Sequence, residues 1–356
     1  MNLLIINYIM DPKSQVLSWQ TKVAYSLGNS FEKVVVLTHE RKNILDSEIP
    51  PNIEIVLFPL FFLRAPMRWF GGKYLLNFWV LYLNWKYKFD RCFIHMNFEW
   101  AIYFAPAFKL FNIPVIIWYA HGSVSKELIR AHKFATRIVS STIEGFRIPS
   151  NKLSLIGQSI DLDQFELLPA KQECSNNLIY VGRISKRKNL DKIIDVLNLI
   201  VNKERKKSIK LLIIGDIITE EDRKYKEELL EQIVSLKLQS NIVFKGTLQQ
   251  DEIIELYRDV FVHISFSSTG SLDKTLVESL ALGCPVLTSN DAMVAILDKE
   301  YHIKLDDVFH AARSVNRIFE NQLDLDRSKL RSLVVNKHDY VNFIKNLVEK
   351  IKIVHS

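Results

Sequence analysis

Cysteine is scarce: Cys92, Cys174 and Cys284 are the three in 356 residues. They stand far apart, with no C-x-x-C pair, so they read as buried or incidental thiols of a reducing compartment. A G-x-x-x-x-G-K-[ST] phosphate loop is missing, which disfavours a nucleoside triphosphatase of that class. So are the G-x-S-x-G nucleophile elbow and the H-E-x-x-H metal helix. There is no internal repeat and no low-complexity tract. The amino end, MNLLIINYIMDP, has no Lys or Arg ahead of its apolar run and soon meets Asp11-Pro12, so it reads as a first strand rather than a signal peptide. The most hydrophobic stretch, Leu60 to Trp85, is interrupted by Asn77 and Asn84. It cannot supply the roughly 20 residues of a membrane-crossing helix.

What is present suits an ordinary soluble globular protein: 48% of the residues are hydrophobic and 24% charged. A chain of 356 residues exceeds one simple core, and two domains are expected. The net charge of +7 is uneven. Residues 1–160 hold 18 Lys plus Arg against 10 Asp plus Glu, and the remainder is close to neutral. A basic half points to an anionic partner such as nucleic acid, a phosphorylated substrate or an acidic membrane face. Nucleic acid fits least, because the basic residues are interleaved with core-like apolar runs. The stretch from Leu60 to Lys88, with Arg64, Arg68, Lys73, Lys86 and Lys88, has two compatible readings. It is a core helix pair with snorkelling basic residues, or a basic aromatic surface lying among lipid headgroups.

Short apolar runs alternate with helical patterns along the whole chain, which predicts α/β domains with parallel sheets. Strands are expected at Leu3–Tyr8, Lys33–Thr38, Ile53–Phe58, Arg91–Met96, Pro114–Trp118 and Arg137–Ser140. Helices are expected at Val16–Leu27 and Ala101–Leu110. After a polar linker near Pro169–Asn177 the rhythm repeats, with strands at Leu178–Val181, Ile209–Gly215 and Ile242–Lys245. The helices of this half are expected at Asn189–Val201, Thr219–Leu236 and Asp251–Arg258. Helices at Asp306–Asn321 and Arg327–Ile353 close the chain.

The segment FVHISFSSTGSLDKTLVESLALGCPVLTS (261–289) organises the second half. It divides into a buried strand, a small polar loop, a helix at Thr275–Leu282 and a second buried strand. Such a βαβ unit presents the helix's free N–H groups at the strand's C-terminal end, where open α/β sheets bind anionic ligands. Glu278 sits one turn into that helix. Its plainer reading is an exposed ion pair with Lys274, four residues earlier. The run Gly182-Arg183-Ile184-Ser185-Lys186-Arg187-Lys188 follows the first strand of this half. Its cations are placed to clamp a diphosphate, the plainer reading being a solvated basic turn. His121, in Tyr119-Ala120-His121-Gly122 at the end of an apolar strand, and His95 are candidates whose commoner role is that of a core histidine. Topology joins these sites: two doubly wound domains facing one cleft would gather Arg183, Lys188, Glu278 and His121.

These residues resemble the retaining, nucleotide-sugar-dependent glycosyltransferases of family 4, with the two-Rossmann-domain architecture called GT-B. The matching pieces are VGRISKRKNL (181–190), LLIIGD (211–216), IVFKGTLQQDEIIELYRDVFVHIS (242–265) and GSLDKTLVESLALGCPVLTSN (270–290). SSTIEGFRIPSNKLSLIGQSIDLDQF (140–165) matches too, and NYIMDP and WYAHG match more weakly. The resemblance implies that Arg183 and Lys188 hold the donor diphosphate and that Glu278 bonds the donor ribose. It implies a catalytic His121 that contacts the transferred sugar, with no bound metal and no cofactor beyond the UDP- or GDP-sugar co-substrate. The loop Gly270, Ser271, Leu272, Asp273, Lys274 and Thr275 would cradle the donor's sugar and phosphates, and Asp11 and Asn97 would lie on the acceptor side. One departure stands out: the family's first motif glutamate, eight residues before Glu278, is here Gly270.

The reading is a cytoplasmic bacterial glycosyltransferase, peripheral on the inner membrane, that serves surface polysaccharide or glycolipid synthesis. Its partners would be the sugar nucleotide, a lipid-linked or oligosaccharide acceptor and an anionic membrane surface. The domains would be residues 1–168 on the acceptor side, 169–326 for the nucleotide sugar, and a helix at 327–356 crossing back. Two alternatives stay open: a nucleotide-sugar epimerase of the same architecture, and a catalytically silent glycosyltransferase-like binding subunit.

Overall fold

The computed structural model describes residues 1–14, 17–59, 72–169, 173–267 and 270–353. Parts of five sequence expectations therefore lie outside the described residues: the start of the first helix at Val16, the segment 60–71, the linker residues 170–172, Ser268 and Thr269 of the polar loop in 261–289, and the end of the segment at 327–356. The chain divides into two compact units, Met1–Gly157 with Val341–Ser356, and Gln158–Tyr340.

The first unit runs β1 (Asn2–Ile6), β2 (Ile9–Met10), α1 (Ser18–Gly28), β3 (Lys33–Thr38), β4 (Glu40–Arg41), β5 (Ile53–Leu57) and α2 (Gly72–Tyr87). It continues through β6 (Arg91–His95), α3 (Trp100–Tyr103), α4 (Ala105–Leu110), β7 (Val115–Trp118), α5 (Lys126–Phe134), β8 (Arg137–Ser140) and β9 (Leu153–Leu155). Seven strands form one parallel sheet in the order β5-β3-β1-β6-β7-β8-β9. Leu3, Leu4, Ile5 and Ile6 are all buried, as a parallel strand covered on both faces requires, which is why β1 reads as an unbroken apolar run. The helix expected at 101–110 is divided at Phe104. Pro106, within the first turn of α4, has no N–H for a continuous helical ladder. The two asparagines that interrupt the apolar stretch are anchors. Asn77 donates to the Tyr103 carbonyl and accepts from the Ala107 N–H, while Asn84 accepts from the Phe89 N–H.

The second unit runs β10 (Asn177–Val181), α6 (Leu190–Asn198), β11 (Lys210–Ile214), α7 (Glu220–Ser235), β12 (Ile242–Gly246) and α8 (Gln250–Tyr257). It continues through β13 (Val262–Ser265), α9 (Lys274–Ala281), β14 (Val286–Thr288), α10 (Val308–Glu320) and α11 (Arg327–His338). Its five strands are parallel, in the order β12-β11-β10-β13-β14. The direction of winding reverses at β10, which has β11 on one side and β13 on the other. A gap at such a reversal is where an open parallel sheet leaves room for a ligand.

The final helix expected at 327–353 is two helices, α11 and α12 (Tyr340–Lys352). At the break, the Ile160 N–H donates to the His338 carbonyl and the Tyr340 N–H donates to the Ile160 carbonyl, each at 2.8 Å. A parallel bridge between Ile160 and Asp339 thus replaces helical hydrogen bonds. The first change of unit falls at Gly157/Gln158, and residues 158–168 pack with the second unit. Ile160, Phe165 and Leu168 are buried there with Leu276, Leu280 and Val334.

Candidate functional site

The C-terminal edge of the second sheet gathers most of the motif residues. Gly182 follows β10 and Gly215 follows β11, and the two backbones run close together. A Cβ on Gly215, where φ is +124°, would stand 2.1 Å from the Gly182 carbonyl oxygen. Gly215→Ala is therefore expected to destabilise the second unit by about 2 kcal/mol through backbone strain. A urea titration followed by circular dichroism would read the loss.

Lys188 lies in a short helical turn, Lys186–Lys188, that leads to α6. Its ammonium sits 2.8 and 3.0 Å from the two oxygens of Asp273 and 3.4 Å from the Ser267 hydroxyl. Only 22% of the Lys188 side chain and 16% of the Asp273 side chain are exposed, so the pair is largely withdrawn from water. It closes the gap at the reversal point, because Lys188 comes from the segment after β10 while Ser267 and Asp273 come from the segment after β13. Asn189 ties the same two segments together: its side-chain amide donates to the Phe266 carbonyl at 2.6 Å, and its backbone is left-handed at φ +48°.

Asp273 is the N-cap residue of α9, yet its side chain makes no capping hydrogen bond. The carboxylate is turned to Lys188, so the head of the helix lacks a side-chain cap from Asp273, and such a terminus suits an anion. Three contacts hold the loop ahead of it. Leu272 is buried in the core, Asn290 donates to the Ser271 carbonyl at 2.8 Å, and Gln158 donates to the Leu272 carbonyl at 3.1 Å. Gly270 adopts φ +66°, a conformation that costs a side-chain-bearing residue about 1 kcal/mol. The local backbone thus favours glycine where the resembled motif has glutamate. On α9, the Thr275 hydroxyl donates to the Val181 carbonyl at 3.3 Å, seating the helix head against the end of β10. Glu278 is mostly buried and 3.5 Å from Lys274, the spacing expected within one helix. Burial pushes its carboxyl above the usual range, against the opposing pull of Lys274.

Arg183 is held elsewhere. Its Nε donates to Asp222 at 2.8 Å, and a second guanidinium nitrogen lies 2.6 Å from the same oxygen and 3.3 Å from the Thr219 hydroxyl. Asp222 is buried, and burial alone would raise its pKa. The N–H groups of Ile218 and Thr219, then Arg183 and the Thr219 hydroxyl, overcome that cost and hold it at about 2. Thr219 and Asp222 form the capping box of α7. The spacing Thr219-x-x-Asp222 was legible as a helix start; its ion pair with Arg183, 39 positions away, was not.

In the first unit, the His121 N–H donates to the Gly145 carbonyl at 2.9 Å, and its Nδ1 accepts from the Ser123 N–H at 3.2 Å. These contacts set the loop after β7 and orient the imidazole. His95, at the end of β6, is 1% exposed and lies edge to face with Trp19 at 4.4 Å. That is the environment of a core histidine. The Asp11 carboxylate accepts from the Lys13 N–H and from the Asn43 side chain at 2.9 and 3.0 Å, so it braces a turn. The Asn97 carbonyl accepts from the Trp100 N–H at the start of α3. No cluster of three His, Cys, Asp or Glu placed to hold a metal occurs among the described residues. Asp222, Asn189, Ser267, Gln158 and Asn290 position the site and were not singled out in the sequence, because their partners lie 19 to 114 positions away.

Residues 164–334, which lie within the second unit, match the family described as glycosyl transferases group 1. The chain is 28% identical over 167 residues to the alpha-monoglucosyldiacylglycerol synthase of Streptococcus pneumoniae, covering 43% of this chain and 35% of that protein. It is 23% identical over 133 residues to the mannosylfructose-phosphate synthase of Agrobacterium fabrum, covering 37% of this chain and 29% of that one. The alignments thus span about a third of the length of these curated relatives. Among solved structures, Alr3699/HepE of Anabaena in complex with UDP superposes with a TM-score of 0.77 at 15% identity, over 99% of this chain and 100% of that one. Two parallel-sheet α/β units, the fold class of GT-B glycosyltransferases, are therefore the architecture of this protein.

Proposed function

We propose that this protein is a retaining glycosyltransferase that moves a sugar from a UDP- or GDP-linked donor to a lipid-linked or oligosaccharide acceptor, in the synthesis of a bacterial surface polysaccharide or glycolipid. The observation that carries the reading is the meeting of Lys188 with the head of α9 at the reversal point of the second sheet. Breaking a sugar–phosphate bond leaves negative charge on a departing diphosphate. A cation and a set of oriented N–H groups, both in place before the reaction, suit that charge. In this reading Lys188 and Arg183 take the diphosphate, Glu278 takes the ribose hydroxyls, and the loop from Gly270 to Thr275 surrounds the donor's phosphates and sugar. His121 is the catalytic group beside the transferred sugar. The group 1 match over 164–334, the two curated synthases and the UDP complex of Alr3699/HepE support the same reaction class.

A thermal-shift panel with UDP, GDP and ADP tests the donor assignment. A ligand that binds the folded form alone raises the melting temperature. UDP or GDP is expected to raise it by several degrees at saturation, with ADP much weaker. His121→Ala is expected to keep that shift and lose sugar transfer. No shift with any nucleotide would remove the proposal.

A further inference from the structure

We infer that helix α2 is a lipid-facing element that seats the first unit on an anionic bilayer, its outer aromatic stripe entering the headgroup region. The two faces of α2 differ in an unusual way. Leu76, Val80 and Leu83 are buried at 0 to 2% exposure, as the inner face of a helix on a sheet should be. The outer face carries Phe78 at 71%, Tyr82 at 47% and Trp85 at 76% exposure. Their spacing of four and three residues sets them in one row. Tyr82 stacks between Trp79 and Trp85, at ring separations of 5.4 and 6.4 Å, so the row is ordered before it meets anything. A helix facing water alone would carry charge at these positions. Rings with one apolar body and one polar edge are instead the residues of a membrane–water boundary. The neighbouring α4, joined to α2 through Asn77, ends in exposed Leu110 and Phe111 beside exposed Lys109.

Charge selects the occupant. From Gly72 to Phe89 the sequence holds Lys73, Lys86 and Lys88 and no Asp or Glu. The first unit as a whole carries 21 Lys plus Arg against 11 Asp plus Glu, whereas the second carries 26 against 29. At the end of α2, Lys86 and Lys88 are both exposed. Two acidic groups stand near it among the described residues: Glu54, which Lys33, Lys86 and the Tyr87 hydroxyl answer, and Asp90, which accepts from the Asn2 N–H. A row of aromatics flanked by lysine, on a unit of net positive charge, matches a surface that is apolar just below a layer of phosphate. No helix among the described residues is long and apolar enough to cross a membrane, so the contact is one of lying on the bilayer.

The inference goes beyond the transfer reaction, and its test needs no sugar donor. The full chain is sedimented with vesicles of phosphatidylcholine alone, or of phosphatidylcholine with phosphatidylglycerol, at low and high salt. Binding is expected with the anionic vesicles at low salt, to be weak with neutral ones, and to fall as salt screens the lysines. The combined variant Phe78→Gln, Tyr82→Gln, Trp85→Gln leaves the buried face intact. It is expected to keep its melting temperature and its nucleotide shift while vesicle binding falls on the order of tenfold or more. Three results would overturn the inference: wild type that ignores anionic vesicles at low salt, a triple variant that binds them as well as wild type, or a lipid-free, concentration-dependent dimer of the wild type that the variant abolishes. The last would give the stripe to a second copy of the chain.

Discussion

Lys188→Met is expected to lower kcat/KM for the sugar nucleotide on the order of 100- to 1,000-fold, the scale of losing one preorganised charge partner in a transition state. The thermal shift with the matching nucleoside diphosphate should fall with it. Methionine keeps the length of the side chain, so the change removes the ammonium and little packing. Asp273 makes the comparison informative. Its carboxylate stands on the Lys188 ammonium where a diphosphate oxygen would compete, so donor binding has to displace or share that pair. Asp273→Asn is expected to tighten the free nucleoside diphosphate while leaving the fold unchanged, because the amide keeps the shape and gives up the competing charge. Arg183→Ala should cost less activity than Lys188→Met, since its guanidinium is already committed to Asp222 and Thr219. Equal losses at the two positions would mean that Arg183 leaves Asp222 when donor arrives. Full activity of Lys188→Met would sink the proposed site.

A steep loss of stability below pH 6 is the second large effect expected. Three imidazoles are buried in their neutral form. Burial lowers the pKa of His95 and of His263 to about 3, Lys188 adding to the shift at His263, and burial lowers that of His338 to about 4, helped by Lys337. Neither ring nitrogen of His95 has a partner among the described residues. His263 Nδ1 shares a 2.8 Å hydrogen bond with the Tyr257 hydroxyl, and His338 Nδ1 accepts from the Gln158 N–H at 2.9 Å. Folding depresses these pKa values, so the stabilisation is fully present above the unfolded value near 6.5 and is lost as pH falls towards 3 to 4. Each imidazole contributes a slope of about 1.4 kcal/mol per pH unit inside that window. Urea midpoints measured from pH 7.5 down to pH 4.5 should therefore drop sharply, beyond what the carboxylates alone produce. Asp222 enters lower down, its contribution being present above about pH 4 and fading towards pH 2. His95→Phe should flatten the curve between pH 6 and 4 by one proton's share, because an apolar ring replaces a polar one that has nothing to bond. A curve as steep as that of wild type would show that His95 does not titrate as its burial implies.

Much of the architecture was readable without coordinates. Runs such as Leu3–Ile6, Val34–Leu37 and Leu211–Ile214 are apolar at successive positions, and a strand buried on both faces in a parallel sheet imposes that pattern. The start of a helix at Thr219 and the Lys274–Glu278 pair were legible because each depends on a single turn of helix. The divided helices were harder. Pro106 announces the break in 100–110, whereas nothing local announces the break at Asp339, which exists because Ile160, far away in the chain, bonds on both sides of it.

The sequence by itself determined the alternation of strands and helices, the uneven charge and the small residues at the ends of β10 and β13, because those properties depend on near neighbours and on burial alone. Tertiary structure decided which carboxylate each cation meets: Asp222 for Arg183 and Asp273 for Lys188. It also decided that Phe78, Tyr82 and Trp85 of α2 point outward, while Leu76, Val80 and Leu83 point in. Helical periodicity separates two faces of a helix; only the sheet that packs against one of them settles which is covered.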